Sequence, residues 1–247
     1  MEQEPFLTVR SLPSGLTSGY VIQPHSHPWH QLLYATTGAM TVHAGRASWI
    51  IPSERCVCIP AGCLHAIRMW GGVAMRTLYF EPTRLAAPLT EECQVLSVTP
   101  LLRELILRIV EIGALDSRQT PHQLLLGVLL EEIRIAPLLP LSLPMPLNEQ
   151  AAAVATYILE DPTSDAAIEQ LGKQFGLSPR TLERRFQSET GLSFGLWRQK
   201  AKMLISLRSL TSEGSVTTAA LDCGYASVSA YIAAFKKTFG CTPSRFR

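Results

Sequence analysis

Two stretches near the C-terminus decide the reading of this chain. They are GLSPRTLERRFQSETGLSFGLWRQKAKML (residues 176–204) and VTTAALDCGYASVSAYIAAFKKTFGCTPSRFR (residues 216–247). Both follow one grammar. Ala166–Phe175 reads as a helix, Gly176-Leu177-Ser178 as a tight turn, and Pro179–Thr190 as a second helix. Val216–Cys223, Gly224-Tyr225-Ala226-Ser227 and Val228–Phe239 repeat the order. Gly176 and Gly224 fall just past a helix end, where a left-handed backbone favours glycine. Ser178 and Ser227 are placed to cap the next helix, and Pro179 takes the first helical position, where its missing N–H costs nothing. Helix, glycine turn, capped second helix is the helix-turn-helix arrangement.

The second helix of each pair is two-faced. Leu182 and Phe186 mark the buried side of the first, and Tyr231, Phe235 and Phe239 that of the second. Opposite lie Arg180, Arg184 and Gln187, with Thr181, Arg185 and Ser188 beside them. Arginines on one solvated helical face suit phosphates and guanine edges in a major groove.

Charge agrees with this placement. The chain of 247 residues carries a formal charge of only +2, but residues 148–247 hold 12 Lys and Arg against 9 Asp and Glu. The first 147 residues are slightly acidic, so the positive excess sits where a nucleic-acid surface needs it.

Outward from this region, Pro137 to Pro146 (PLLPLSLPMP) reads as a stiff, semi-extended linker, because proline lacks an amide donor and breaks helices. Before it, Thr99–Asp116 and Pro121–Ala136 each carry an apolar stripe at helical spacing and predict a helical hairpin. Its apolar surface leaves two readings, packing onto the neighbouring domain or a dimer interface; a homodimer is the expectation carried forward. Leu7 to Phe80 reads as β-structure. Short apolar runs (Tyr20–Ile22, Gln31–Ala35, Met40–His43, Ser48–Ile51, Cys56–Ile59, Met75–Phe80) alternate with turn signals. The domains expected are 1–136, a linker at 137–147, and 148–247.

Other classes are weakened. Met1 is followed by Glu2 and Glu4, unlike a signal peptide. No apolar run reaches the roughly 18 residues of a membrane helix, so a cytoplasmic protein without a membrane partner is expected. Of six cysteines, Cys56, Cys58 and Cys63 cluster without a CxxC pair. They read as reduced thiols buried near a strand, with a redox sensor as the alternative. No Ser/His/Asp spacing, phosphate-cradling loop or paired carboxylate motif stands out.

The C-terminal stretches resemble the DNA-binding domain of the AraC/XylS family of transcription regulators, and the closing TPSRFR run is distinctive for it. The resemblance implies two recognition helices entering successive major grooves of double-stranded promoter DNA, about 34 Å apart. By position it makes Arg180, Glu183 and Arg184, then Val228, Ser229 and Ala233, the base-facing residues. The family usually has Arg where this chain has Ala233, so the second helix is unusually apolar, with Val228, Ile232 and Ala233 outward by spacing. Direct readout then falls to Arg180 and Arg184, with apolar contacts from the second helix and phosphate contacts from Lys236 and Lys237. Gly172 replaces a common Ala at a cost of about 1 kcal/mol in helix propensity, and Tyr225 replaces a Phe. The family includes activators, which would also meet RNA polymerase, and repressors.

In the N-terminal half, GYVIQPHSHPWHQLLYATTG (residues 19–38) matches the spacing of the first cupin motif, with Gln31 in its glutamate place. PAGCLH (residues 60–65) matches the core of the second, with Met69 where that motif has Asn. This half is similar to cupin barrels. His25, His27 and Gln31 share parity, so an extended chain would turn them to one face, with His65 from a neighbouring strand. Three imidazoles and one oxygen suit Zn, Fe, Ni or Cu. The neutral Gln31 weakens the set, and His30 is a substitute or faces outward. The alternative is a metal-free ligand pocket. Trp29, His30, Tyr34, Met40 and Trp49 are candidates to line an effector cavity, with core packing as their other reading.

The chain therefore reads as an α+β two-domain protein, a cupin-like β-barrel with a helical hairpin followed by an all-α domain with two helix-turn-helix motifs. It is expected to be a DNA-binding regulator answering a small-molecule or metal effector, not an enzyme. The alternatives are a cupin metalloenzyme (dioxygenase or isomerase) fused to a DNA-binding domain, and an architectural DNA binder without ligand control.

Overall fold

The computed structural model of the chain describes residues 6–45, 47–86, 88–210 and 215–246. Met1–Pro5, read above for a leader, and Arg247, which ends the TPSRFR run, lie outside the described residues. The chain divides into two compact units, Met1–Gly45 with Ile51–Pro140, and Arg46–Ile50 with Leu141–Arg247. The division falls at Pro140, inside the proline-rich segment.

The β-rich half runs β1 (Leu7–Leu16), β2 (Val21–His25), β3 (His30–Ala35), β4 (Ala39–Ala44), β5 (Ala47–Pro52), β6 (Arg55–Ile59), β7 (His65–Trp70), β8 (Val73–Phe80), β9 (Gln94–Ser97), α1 (Pro100–Ile112), β10 (Ala114–Asp116), α2 (Thr120–Ile135) and β11 (Leu138–Leu139). A seven-stranded sheet has the order β10-β1-β8-β3-β6-β9-β11. A smaller one contains β5-β4-β7-β2. Among the described residues these are two sheets and not the closed barrel expected.

Alternation explains the core. Leu32 and Tyr34 of β3, Cys56 and Cys58 of β6, and Leu78 and Phe80 of β8 point to one side of the larger sheet. There they meet Leu102, Leu105, Ile106 and Ile109 of α1 and Leu129 and Ile133 of α2. Each such side chain contributes about 1.5–3 kcal/mol by leaving water. The helical hairpin thus packs on its own sheet. Its second helix keeps Leu124, Val128 and Ile135 exposed.

The proline-rich segment is not a bare linker. It forms β11, which pairs with β9, and β12 (Ser142–Pro144), which pairs with residues 47–49 of β5.

The second unit continues with α3 (Glu149–Glu160), α4 (Ile168–Gln174), α5 (Pro179–Thr190), α6 (Phe194–Ser209), α7 (Val216–Asp222), α8 (Val228–Phe239) and α9 (Pro243–Phe246). The central α6 buries Trp197, Ala201, Met203, Leu204 and Leu207. It packs against α3, α5, α7 and α8. Ser178 Oγ accepts the Thr181 amide (3.1 Å) and Ser227 Oγ the Ala230 amide (3.2 Å), as the capping pattern predicts. Gly176 and Gly224 have φ of 74° and 71°.

Gly172 has a stronger reason than the sequence suggested. Its carbonyl accepts the Leu177 amide at 2.7 Å, and a Cβ there would lie 2.5 Å from the Leu177 carbonyl oxygen. The turn closes on α4 too tightly for the alanine that the resemblance leads one to expect.

Candidate nucleic-acid interface and metal centre

Capping and burial together aim α5. With Leu182 and Phe186 buried, Arg180, Arg184, Gln187 and Ser188 come out exposed on the opposite side. Arg180 and Arg184 have no partner among the described residues, so both guanidinium groups are free for an incoming acceptor.

The other α5 residues carried over by position are already engaged. Glu183 accepts the Phe194 amide (3.2 Å) at the start of α6. It thereby helps hold the start of α6, while lining one surface groove with Arg180, Arg184, Gln187 and Ser188. Arg185 is paired with Glu189 at 3.1 Å. Glu189 in turn accepts the amides of Leu147 (2.7 Å) and Asn148 (2.9 Å). Burial alone would raise the Glu189 carboxyl, but those amides and Arg185 hold it below its ordinary value. Arg185 is therefore a brace inside the domain. Thr181 shares the Ser178 cap through its hydroxyl (2.8 Å), and Gln187 donates to the Gly191 carbonyl (3.2 Å) while staying exposed.

On α8, Ser229, Ala233, Lys236 and Lys237 are exposed, whereas Val228 and Ile232 are half-buried. Those two are thus less outward than spacing suggested. Tyr231 and Phe235 anchor the helix, and the Tyr231 hydroxyl donates to Ser206 of α6 (2.9 Å).

In the β-rich half, His25, His27 and His65 come together, with one nitrogen of each within 4.8 Å of the others. They do so differently from the parity argument. Strand β2 ends at His25, a bulge separates Ile22 from His25, and the chain turns before β3 begins at His30. His25 pairs in register with His65 of β7, while Gln31 pairs with Tyr79 of β8. The cluster therefore bridges the two sheets.

Each ring is anchored by a backbone carbonyl at Nδ1: His25 by Gln23 (2.9 Å), His27 by Trp29 (2.9 Å) and His65 by Cys63 (3.0 Å). A carbonyl only accepts, so each Nδ1 carries the proton and each Nε2 keeps its lone pair. His65 is 1% exposed, and its buried Nε2 has no hydrogen-bond partner among the described residues. Burial lowers the His65 pKa, assisted by the neighbouring His25 and His27. Gln31 Oε1 lies 3.1 Å from His27 Nε2, while its amide nitrogen donates to the Tyr79 hydroxyl (3.2 Å).

The remaining candidates part company. His30 is buried, its Nδ1 accepts the Ala61 amide (3.3 Å), and burial lowers its pKa. It does not substitute for Gln31. Tyr34 and Met40 are fully buried, and Tyr34 donates to Glu54 (3.0 Å). Trp49 falls among the residues that group with the second unit. Trp29 lies edge-on to Tyr79, with the Arg10 guanidinium 5.6 Å from its ring. A groove of about 600 Å³ lies among Leu89, Leu96, Leu130, Ile133, Ala136 and Leu138, with Gln94 and Arg134. Sequence reasoning missed Tyr79, Arg10 and Cys93, none of which sits in a local motif.

A β-rich unit bearing a histidine cluster and a helical unit bearing two capped reading helices define a class, the two-domain helix-turn-helix regulators. Comparison with known proteins narrows it. Residues 15–133 match the AraC-like ligand binding domain and residues 171–247 match a helix-turn-helix domain. The chain is 32% identical over 222 residues to the HTH-type transcriptional regulator NimR of Escherichia coli K12, covering 90% of this chain and 81% of NimR. It is 33% identical over 103 residues to the regulator RipA of Corynebacterium glutamicum, covering 42% of this chain and 31% of RipA. Among solved structures, the DNA-binding domain of AdpA in complex with a target DNA is 31% identical, covering 40% of this chain and 90% of that chain, with a TM-score of 0.37. The chain belongs to the AraC family and is a DNA-binding transcription regulator with a ligand-binding domain. Among the described residues no helix is long and apolar enough to cross a membrane.

Proposed function

We propose that this regulator reads promoter DNA chiefly through Arg180 and Arg184 and takes a divalent transition metal as effector, or as the anchor of one, at His25, His27 and His65. One observation carries the metal reading: among the described residues the buried Nε2 of His65 has no hydrogen-bond partner, beside two further imidazoles each held at Nδ1 by a backbone carbonyl. Such outer-sphere hydrogen bonds orient ligating histidines. Gln31 supplies a neutral oxygen to the set. A bound metal would supply positive charge and an open coordination position at the point where the two sheets meet. Zn, Fe, Ni and Cu all fit an imidazole-rich set.

A second copy of the chain is the proposed partner of the exposed α2 stripe of Leu124, Val128 and Ile135. Effector control requires the bound group to favour one DNA-binding arrangement of the pair over another. Activation, with RNA polymerase as a further partner, and repression are both open to such a protein.

The test is metal analysis of the purified chain beside a His25→Ala/His65→Ala variant, with operator affinity measured before and after chelation. About one metal per chain, lost in the variant, is the expected result. No metal in either protein would move the effector to an organic ligand.

A further inference from the structure

We propose that Cys63 and Cys93 form a reversible disulfide whose closure displaces His65. Their sulfurs lie 3.9 Å apart, although 30 residues separate them in the chain. Cys63 sits in the turn between β6 and β7, and Cys93 immediately precedes β9. Both are partly exposed, whereas Cys56, Cys58 and Cys223 are buried. Burial also pushes the Cys58 thiol up to about 12. The triplet that looks like a cluster in sequence is therefore divided. Two members are sealed in the core, and the third faces a cysteine that the sequence does not place beside it.

A disulfide needs the sulfurs about 2 Å apart, so the two sulfurs must approach by roughly the same distance. Burial, then the adjoining Cys63 sulfur, pushes the Cys93 thiol up and keeps its proton on. Both thiols are partly exposed and so open to an oxidant. With a small disulfide as oxidant, the Cys63 thiolate attacks one sulfur, the oxidant's S–S bond breaks, and one thiolate leaves and takes up a proton. Cys93 then gives up its proton and attacks the Cys63 sulfur, releasing the second small thiol. Two protein thiols are oxidised and one disulfide is reduced to two thiols.

The consequence reaches the histidine cluster through one bond. The Cys63 carbonyl holds His65 Nδ1 at 3.0 Å and so sets which nitrogen faces His25 and His27. Drawing Cys63 toward Cys93 moves that carbonyl and its imidazole. The proposal concerns the two thiols and the His65 ring and stands whether or not the cluster holds metal.

The full chain would be treated with oxidised glutathione and mapped by mass spectrometry. The expected product has lost two hydrogens, carries a Cys63–Cys93 cross-linked peptide, and reverts with dithiothreitol. Cys93→Ser should instead stop at one glutathione on Cys63. A parent chain that keeps that adduct without cross-linking, or whose two thiols stay reduced, would overturn the disulfide. In parallel, the ring signals of His65 in an NMR spectrum should shift on oxidation while those of the distant His122 stay in place. A His65 signal as still as that of His122 would overturn the coupling.

Discussion

The two helix-turn-helix units have the same grammar and different contents. Both close with a carbonyl that accepts an amide five residues on, from Leu177 to Gly172 at 2.7 Å and from Tyr225 to Ala220 at 3.0 Å. The first turn excludes a Cβ and the second accommodates the buried methyl of Ala220. The reading faces differ more. Helix α5 offers two arginines without partners among the described residues, whereas α8 offers Ser229, Ala233 and two lysines near its C-terminal end. Guanidinium groups can address guanine edges bidentately; a methyl and a hydroxyl cannot. On the function proposed above, sequence discrimination falls to the first unit and positioning to the second.

The sharpest way to break that division is Arg184→Ala. It should cost about 1–3 kcal/mol on the cognate site and relax the preference there, with melting unchanged because the side chain is exposed. An unaltered site preference in a competition assay would end the base-reading role of α5. Next comes Gly172→Ala, which should destabilise the domain by roughly 1–3 kcal/mol through overpacking. The mirror change Ala220→Gly should cost about 1–2 kcal/mol, from helix propensity and the lost buried methyl. Thermal melts showing Gly172→Ala as the milder change would mean the two turns are equivalent. Lys237→Ala should weaken binding alike on all sequences and lower the salt slope by about 0.9. A loss confined to one sequence would give α8 a reading role.

The smallest effect is expected inside the first unit. The folded Glu189 carboxyl sits below its ordinary value, so its stabilisation is present above the usual carboxylate range and is lost as pH falls through the folded value. Glu189→Gln should flatten the acid limb of a melting-temperature profile. Superimposable limbs would show that the pairing with Leu147 and Asn148 contributes nothing.

Why α5 and α8 were legible in sequence to the residue, and much else was not, follows from the range of the forces. Caps such as Ser178 and Ser227 act within four residues, so their signal is local. Strands β9 to β12 are short, and β11 and β12 lie in a proline-rich run whose local pattern says linker; pairing with distant β9 and β5 decides otherwise. Histidine spacing brought out His25, His27 and His65, yet the bulge and turn that deliver them break the simple alternation. Arg185 and Glu183 look like surface charges until Glu189 and the Phe194 amide, 4 and 11 residues away, are seen to engage them. Cys93 and Tyr79 reach their partners across 30 and 48 residues, beyond any local pattern.

The indole N–H of Trp197 donates to the Pro144 carbonyl at 2.7 Å, and Trp197 is fully buried. This sets where the helical half can be cut. A fragment beginning at Asn148 would strand that donor in an apolar interior, at a cost of about 1–3 kcal/mol, and would remove the Leu147 amide from Glu189. Starting at Leu141 keeps both. A fragment that starts at Leu141 should therefore melt higher than one that starts at Asn148.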